Sequence, residues 1–267
     1  MRNHTRCGLV TLAVVLLIGC VAGSTAAAPL STPTSVSRTP VLLPEVRPDP
    51  SARPVPVVGR TNVHPLPLNF PTGSATQVVT VVATDTHATT AVLQMWDKAV
   101  GGWVLVGSAV TADVGKNGLS AQVTEGAKAT PIGSFTLTQA FGRNGDPGTA
   151  LPYFQTTPDD WWISEPGALY NTHQHCSSGC AFNTASTGNP NEHLYYETPY
   201  YDYAVVIDYN TANAGPIVQG VGSAFFLHVT VGKPTLGCVA VPVDALLPLM
   251  RWLNPADQPR ILIGTTG

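Results

Sequence analysis

The sequence predicts a mainly β fold, in a single β-rich domain of sandwich-like or barrel-like form with one or two short helices. Two observations support this prediction. Short runs of β-branched and other apolar residues recur, the first three about ten residues apart, and Asp, Thr and Gly separate them as in consecutive antiparallel strands. Only one segment has the apolar periodicity of a helix. The predicted strands are 77–83, 91–96, 102–107, 134–141, 201–210, 223–229 and 259–264.

The predicted helix covers residues 245–253, with the sequence ALLPLMRWL. Asp244 is the expected N-cap, because its carboxylate can accept a hydrogen bond from a backbone N–H of the first turn. Pro248 falls in the first turn, where proline disturbs a helix least. The apolar residues of this segment share one face, and they are Leu246, Leu249, Met250 and Leu253.

The N-terminus has the features of a secretory signal. Arg2 and Arg6 give it a positive start, and an apolar stretch follows over 9–18 that is too short to span a bilayer comfortably. Small residues come next. We therefore interpret residues 1–28 as a signal sequence and expect an exported protein of the cell envelope.

This signal leaves two kinds of processing open. Leu17–Cys20 (LIGC) resembles a bacterial lipobox, in which the thiol of Cys20 becomes a thioether to diacylglycerol. A lipid on Cys20 would anchor the protein to the outer face of the cytoplasmic membrane. The alternative is ordinary cleavage in STAAAP, where Ala27 or Ala28 would precede the cut.

A proline-rich segment, residues 29–71, separates the signal from the rest of the chain. Proline keeps such a segment extended, and it has too few large apolar residues to fold, so it predicts a tether. Residues 72–267 then form the one folded domain. The chain has 13 Lys and Arg against 16 Asp and Glu, a net charge of −3, and no basic run beyond its start, so nucleic acid is not an expected partner.

The strongest chemical signal is a histidine and a cysteine ten residues apart, His228 and Cys238. A neighbouring imidazole can take the proton of a thiol and leave a nucleophilic thiolate. Gly237 has no Cβ, so a substrate carbonyl could lie against the backbone there and a developing oxyanion could meet backbone N–H groups. The alternative is a buried structural thiol beside an unrelated histidine.

A second cluster, NTHQHCSSGC at 171–180, holds four residues of types that bind zinc, His173, His175, Cys176 and Cys180. Four ligands within so short a segment are cramped for a structural zinc site. In an oxidising compartment we favour a Cys176–Cys180 disulfide, which leaves Cys238 as the free thiol of the mature domain. No metal ligands and no cofactor are predicted.

The segment FLHVTVGKPTLGCVAVP resembles the signature of the YkuD-like L,D-transpeptidase family, in which a histidine follows an apolar strand and precedes a Ser/Thr-x-Gly-Cys turn, here Thr235 to Cys238. A second segment, 115–142, resembles the family's EGD..TPxGxF region. The resemblance covers about residues 74 to 265, with an actinobacterial-looking middle that includes EHL at 192–194. The matching residues of the second segment are Glu125, Gly126, Thr130, Pro131, Gly133 and Phe135.

The resemblance implies a peptidoglycan L,D-transpeptidase. Cys238 would attack the stem peptide between the L-centre of meso-diaminopimelate and D-alanine, and an amine of a neighbouring stem would resolve the thioester into a 3→3 cross-link. His228 would be the base and then the acid, with the backbone carbonyl of Val229 fixing its tautomer. Both donor and acceptor stems are implied partners, and carbapenems are implied covalent inhibitors of Cys238.

Three positions depart from the family pattern. Leu236 replaces a usual histidine, Val229 a glycine, and Ala240 an arginine or asparagine, and the spacing from His228 to Cys238 is short. Fewer polar side chains therefore assist the nucleophile. Two rival functions stay open: an L,D-carboxypeptidase, which would transfer the same thioester to water, and a catalytically silent wall-binding module.

Other residues receive simpler interpretations. Thr235 and the pair Trp161 and Trp162 are candidates for substrate binding, the tryptophans as walls of a groove. Asp159 and Asp160 are interpreted as a solvated turn rather than as an acid/base pair. Structural or core roles are expected for His193, Trp96 and Trp103.

Overall fold

A computed structural model describes residues 62–266 of the 267-residue chain. The signal sequence, Cys20 and most of the proline-rich segment lie outside these residues. The described part is mainly β, with 34% strand and 9% helix, as the sequence predicts. Within it no helix combines the length and hydropathy needed to cross a membrane.

One α-helix, α1, covers Val243–Trp252, and three short 3-10 helices cover Leu194–Tyr196, Tyr200–Asp202 and Pro255–Asp257. The strands are β1 Gln77–Ala83, β2 Thr90–Ala99, β3 Gly102–Asp113, β4 Leu119–Ser120, β5 Thr130–Pro131, β6 Gly133–Thr136, β7 Ala140–Gly142, β8 Tyr153–Gln155, β9 Asp160–Trp162, β10 His173–His175, β11 Glu192–His193, β12 Ala204–Val206, β13 Phe226–Val229, β14 Val239–Val241 and β15 Arg260–Thr265.

A curled ten-stranded sheet with the order β6-β15-β1-β2-β3-β14-β13-β12-β7-β8 forms most of the domain. Its β1-β2-β3 meander is antiparallel, whereas β13 and β14 pair in parallel. A three-stranded sheet, β10-β9-β11, and the pair β4-β5 complete the architecture. The parallel β13–β14 pair lies near the middle of the large sheet and carries the candidate site.

The two faces of the β13–β14 pair have different neighbours. On one face, Leu227 and Val239 belong to the main core together with the apolar face of α1. On the other face, Phe226 and Cys238 belong to a separate, aromatic-rich cluster. Side chains alternate between the faces of a strand, so this division follows directly from the sequence of β13.

Two predicted strands are shortened or divided in the structure. The expected strand 201–210 is reduced to β12, because Asp208 accepts a hydrogen bond from Thr136 at 2.8 Å and Asn210 adopts a left-handed φ of 55°, which ends the extended chain. The expected strand 134–141 is divided into β6 and β7, which pair with different partners.

The N-cap of α1 is Pro242 rather than the predicted Asp244. The carbonyl of Pro242 accepts the N–H groups of Ala245 and Leu246, both at 3.0 Å, so the helix begins at Val243. Asp244 lies instead in the first turn, where a carboxylate still interacts favourably with the helix dipole.

The end of the proline-rich segment packs on the sheet. His64 and Trp103 exchange two backbone hydrogen bonds of 2.8 and 3.0 Å. Leu68 and Phe70 pack in a cluster with Trp96 and Trp103, and both tryptophans are buried as expected. Residues 64–70, which belong to the proline-rich segment 29–71, therefore contribute to the core of the described domain.

Replacing Leu246 by Ala should lower the free energy of unfolding by about 2–5 kcal/mol, because a fully buried side chain of α1 would leave a cavity. The matched control is Val243→Ala on the exposed side of the same helix, which should change it by less than about 0.5 kcal/mol. Urea denaturation measures both. Equal effects of the two substitutions would contradict the packing described for α1.

Candidate active site

The register of β13 and β14 places Cys238 and His228 on one face of the sheet. Leu227 pairs with Val239 and His228 with Ala240, so Cys238, just before β14, lies beside Phe226. The backbone N–H of Phe226 donates to Sγ of Cys238 at 3.4 Å. Phe226 and His228 are two residues apart on one strand and so share a face. The two residues that the sequence singled out are thus brought to neighbouring positions.

The thiol of Cys238 is buried and protonated in this structure. It is 7% exposed, and its S–H donates to the carbonyl of Ala224 at 3.3 Å. No hydrogen bond joins it to His228 among the interactions of residues 62–266. Burial raises the pKa of the thiol, and the charge of Glu192 raises it further. Forming a thiolate here requires a base.

His228 is held as a neutral imidazole in one tautomer. Its Nδ1 lies 2.8 Å from the carbonyl oxygen of Val229, which can only accept, so Nδ1 carries the proton and Nε2 is free to act as a base. Burial lowers the pKa of His228 to about 4, and the Val229 hydrogen bond and the charge of Asp113 oppose this only in part. The side chain of Val229 packs in the main core on the other face.

Two threonines fix the turn that precedes Cys238. The hydroxyl of Thr235 accepts the N–H of Gly237 at 3.0 Å and donates to the carbonyl of Cys238 at 2.7 Å. Thr130 donates to the same carbonyl at 3.3 Å. In this conformation Thr235 therefore holds the turn, and the N–H of Gly237 is already used.

Gly237 is required by the backbone as well. Its φ is +141°, and a Cβ there would lie 2.7 Å from a ring carbon of Phe225. Any side chain would displace the turn. Sequence reasoning singled out Gly237 as backbone support but missed Thr130, which it noted only as part of the matching segment 115–142.

Two of the residues that depart from the family pattern, Leu236 and Ala240, lie at an exposed and a buried position respectively. Leu236 is 71% exposed in the turn before Cys238. Ala240 is fully buried between His228 on β13 and Asp113 on β3. A substrate at the turn would meet an apolar side chain at Leu236.

Trp161 and Trp162 are both buried, and Trp162 packs in the aromatic-rich cluster that contains Cys238. Trp162 donates from Nε1 to Asn171 at 2.8 Å and meets the ring of Phe226 edge-on, with 4.9 Å between ring centroids. Trp161 stacks on His193 with 3.7 Å between ring centroids. The tryptophans therefore offer little ring surface to a ligand in this conformation.

Asn171 positions the acceptor of the thiol proton. Its side-chain oxygen accepts the N–H of Ala224 at 3.0 Å, and Ala224 adopts a left-handed φ of 56°. This conformation directs the Ala224 carbonyl at the Cys238 thiol. Sequence reasoning assigned Asn171 no role.

The loop 171–180 contains the expected disulfide. Cys176 and Cys180 are joined with 5.8 Å between their Cα atoms. Cys238 is the free cysteine among the described residues. The four side chains do not form a zinc site in this structure. The sulfur atoms of Cys176 and Cys180 are bonded to each other, and His173 and His175 contact Asp160 instead.

The prediction of a solvated turn is wrong for Asp160. This residue is 4% exposed, and one carboxylate oxygen faces ring nitrogens of His173 at 2.8 Å and His175 at 3.2 Å. Burial alone would raise the pKa of Asp160, but hydrogen bonds from Thr157 and from the two histidines outweigh burial and lower it. Asp160 thus fastens β9 to β10, a long-range contact that local sequence does not reveal.

Sequence reasoning also missed Tyr201 and Glu192. The hydroxyl of Tyr201 donates to Oε2 of Glu192 at 2.5 Å, and Tyr201 packs in the same aromatic-rich cluster as Cys238. The ring of Tyr201 meets the imidazole of His228 edge-on, with 5.4 Å between centroids. The available signal was the EHL motif in the middle of the chain.

A buried thiol beside a neutral imidazole, on adjacent strands of a β-sheet, defines the site of a candidate cysteine enzyme. A family model for the L,D-transpeptidase catalytic domain, YkuD, matches residues 77–263. The chain belongs to this family, whose members act on peptidoglycan, and the resemblance drawn from the sequence is confirmed. Comparisons with curated proteins and with solved structures gave no match. The actinobacterial character of the middle segment stays a prediction.

Replacing Thr235 by Val should slow catalysis by about 10-fold to 100-fold with little loss of fold stability, because the turn would lose both hydrogen bonds that orient Cys238. Thr235→Ser keeps the hydroxyl and is the matched control, with activity near that of the unchanged protein. Turnover of a peptidoglycan tetrapeptide is the measurement. Full activity of the Val variant would show that the hydroxyl does not position the nucleophile.

Proposed function

We propose that this protein is an L,D-transpeptidase that forms 3→3 cross-links in peptidoglycan through a thioester on Cys238. The observation that supports this best is the shared face of Cys238 and His228, with the imidazole tautomer fixed by the Val229 carbonyl. Family membership supplies the substrate class.

In the first half-reaction, Nε2 of His228 takes the proton from the Cys238 thiol. The thiolate attacks the carbonyl at the L-centre of meso-diaminopimelate, and the carbon–nitrogen bond to D-alanine breaks. The imidazolium returns its proton to the leaving amine. Gly237 permits the turn that presents Cys238, because any Cβ there would strike the ring of Phe225.

In the second half-reaction, an amine of a neighbouring stem attacks the thioester. The amine gives up a proton, the bond from carbon to Sγ breaks, and the proton returns to the sulfur of Cys238. A thioester suits this step because amines compete well with water at its carbonyl. The resemblance to this family also implies that carbapenems acylate Cys238.

A silent wall-binding module is the second candidate, and a specific observation favours it. The thiol donates to the Ala224 carbonyl and not to His228, while burial raises the thiol pKa and lowers the histidine pKa. If substrate binding did not change this arrangement, the site would stay unreactive.

We further propose that the protein works in the cell envelope. The signal-like residues 1–28 support export, and a disulfide at Cys176–Cys180 fits an oxidising compartment. Lipidation of Cys20 would hold the protein at the membrane surface, with the proline-rich segment as a tether to the wall.

Incubation with a disaccharide tetrapeptide that ends in meso-diaminopimelate and D-alanine separates these functions. We expect cross-linked dimers and released D-alanine, none with Cys238→Ala, and a rate lower by about 10²–10⁴-fold with His228→Ala. Chromatography and mass spectrometry identify the products.

The other outcomes assign the rivals. Tripeptide without dimer would contradict transpeptidation and identify an L,D-carboxypeptidase. No product from the folded protein, with binding to isolated wall retained, would identify the binding module.

A further inference from the structure

Three of the four lysines in the chain lie on segments that meet the turn before Cys238. They are Lys116, Lys128 and Lys233, and all three are exposed. The chain has a net charge of −3, so its overall composition does not account for positive charge at this place. We call these three residues the lysine rim, and the proposed reaction does not yet use them.

Backbone hydrogen bonds hold Lys116 beside the turn. Its N–H donates to the carbonyl of Thr235 at 2.9 Å, and the N–H of Thr235 donates to the carbonyl of Val114 at 2.9 Å. Gly115 and Thr235 form an isolated parallel bridge. The hydroxyl of Thr235 in turn donates to the carbonyl of Cys238 at 2.7 Å. Lys116 is therefore bonded to the residue that fixes Cys238.

Lys128 is fixed against the same segment. Its carbonyl accepts the N–H of Asn117 at 3.0 Å, and a Cβ on Gly115 would lie 2.6 Å from that carbonyl oxygen. Two residues further on, the hydroxyl of Thr130 accepts the N–H of Gly115 at 2.8 Å and donates to the carbonyl of Cys238 at 3.3 Å. Lys128 thus lies close to Cys238 from a second direction along the chain.

Lys233 belongs to a third segment, the loop that connects β13 to β14. It lies two residues before Thr235 and five before Cys238. Each lysine of the rim is therefore within two residues of a threonine that hydrogen-bonds the Cys238 carbonyl, or is bonded to one directly. Three distant parts of the sequence bring positive charge to one turn.

No carboxylate pairs with the lysine rim within residues 62–266, where the ion pairs join Asp160 to His173 and His175. Two acidic residues close to the rim in sequence have hydroxyl partners instead. Glu125 accepts hydrogen bonds from Tyr170 and Ser223. Asp113 accepts one from Thr230. The rim is therefore free to attract an anionic ligand.

We propose that the lysine rim binds the terminal carboxylate of the donor stem and orients its D-alanine end at Cys238. This carboxylate is one residue from the carbonyl that Cys238 attacks, about 4 Å along the backbone, so both groups must lie near the turn together. A lysine ammonium is a point charge on a flexible stem, and three of them can follow a carboxylate that has no rigid partner. The proposal rests on the proposed function, because it names the donor of that reaction. The three lysines are specificity residues and touch no reacting atom.

The test is the binding of two stem tetrapeptides to the full-length Cys238→Ala variant, which cannot turn them over. One tetrapeptide ends in D-alanine and the other in D-alaninamide, which lacks the negative charge. Isothermal titration calorimetry should show tighter binding of the acid at low ionic strength. The preference should shrink at about 1 M salt, where charges more than about 3 Å apart are screened.

Replacing Lys116, Lys128 and Lys233 together by Gln in this variant should weaken binding of the acid by about 5-fold to 50-fold and leave binding of the amide unchanged. Each single replacement should weaken binding of the acid by about 2-fold to 5-fold, and the single variants decide if the triple variant fails to fold. The matched control is Lys98→Gln, which removes the fourth lysine, exposed on β2, and should change neither affinity.

Three results would overturn the proposal: equal affinity for acid and amide before any lysine is replaced, an equal loss for both peptides in the lysine variants, or no binding of either peptide. Loss of binding to isolated wall, with the tetrapeptide affinities unchanged, would also overturn it and would assign the rim to an anionic wall polymer. The proposed function fails separately. A protein with Cys238 intact that forms no product, while the Cys238→Ala variant keeps a lysine-dependent preference for the acid, would refute the reaction and support the rim.

Discussion

The parallel pairing of β13 with β14 is the constraint on which the candidate site depends. Its register sets Cys238 beside Phe226 and aligns His228 with Ala240. A shift of β14 by one residue would turn Cys238 to the main-core face and leave His228 on the opposite face. The packing of Leu227 and Val239 against the apolar face of α1 opposes such a shift, so core formation and site geometry have the same cause.

Burial keeps the side chains of this site ordered, and it also raises the free-energy cost of forming charge there. The thiol, the imidazole and the Tyr201 ring lie in a poorly solvated cluster, where forming charge is costly. The resting polar groups are satisfied by neighbours: the thiol by Ala224, the imidazole by Val229 and the phenol by Glu192. Formation of a thiolate at Cys238 then depends on which neighbouring group accepts the proton of the thiol.

The sequence predicted those features that local pattern determines. Alternating apolar runs indicated the strands, the helical spacing indicated the buried face of α1, and the close cysteines indicated the Cys176–Cys180 disulfide. Two short segments were enough to identify the family: one holds His228, Gly237 and Cys238 in the family's order, and the other is 115–142.

The remaining features depend on contacts between distant segments. Asp160 is buried because two histidines of another strand meet it, and Thr130 matters because its hydroxyl reaches a carbonyl 108 residues later. Glu192 accepts a hydrogen bond from Tyr201, which packs in the cluster of Cys238, and the EHL motif marked Glu192 without indicating this contact. Such contacts follow from the tertiary fold alone.

The central claim is that Cys238 forms a covalent thioester with the stem peptide. Rapid acid quenching of the reaction with the tetrapeptide donor, followed by peptide mapping by mass spectrometry, tests it most directly. The account predicts a tripeptide acyl group on the peptide that contains Cys238, removable by hydroxylamine and absent from Cys238→Ala. Product formation with no acyl group on Cys238, or with the group on another residue, would contradict it.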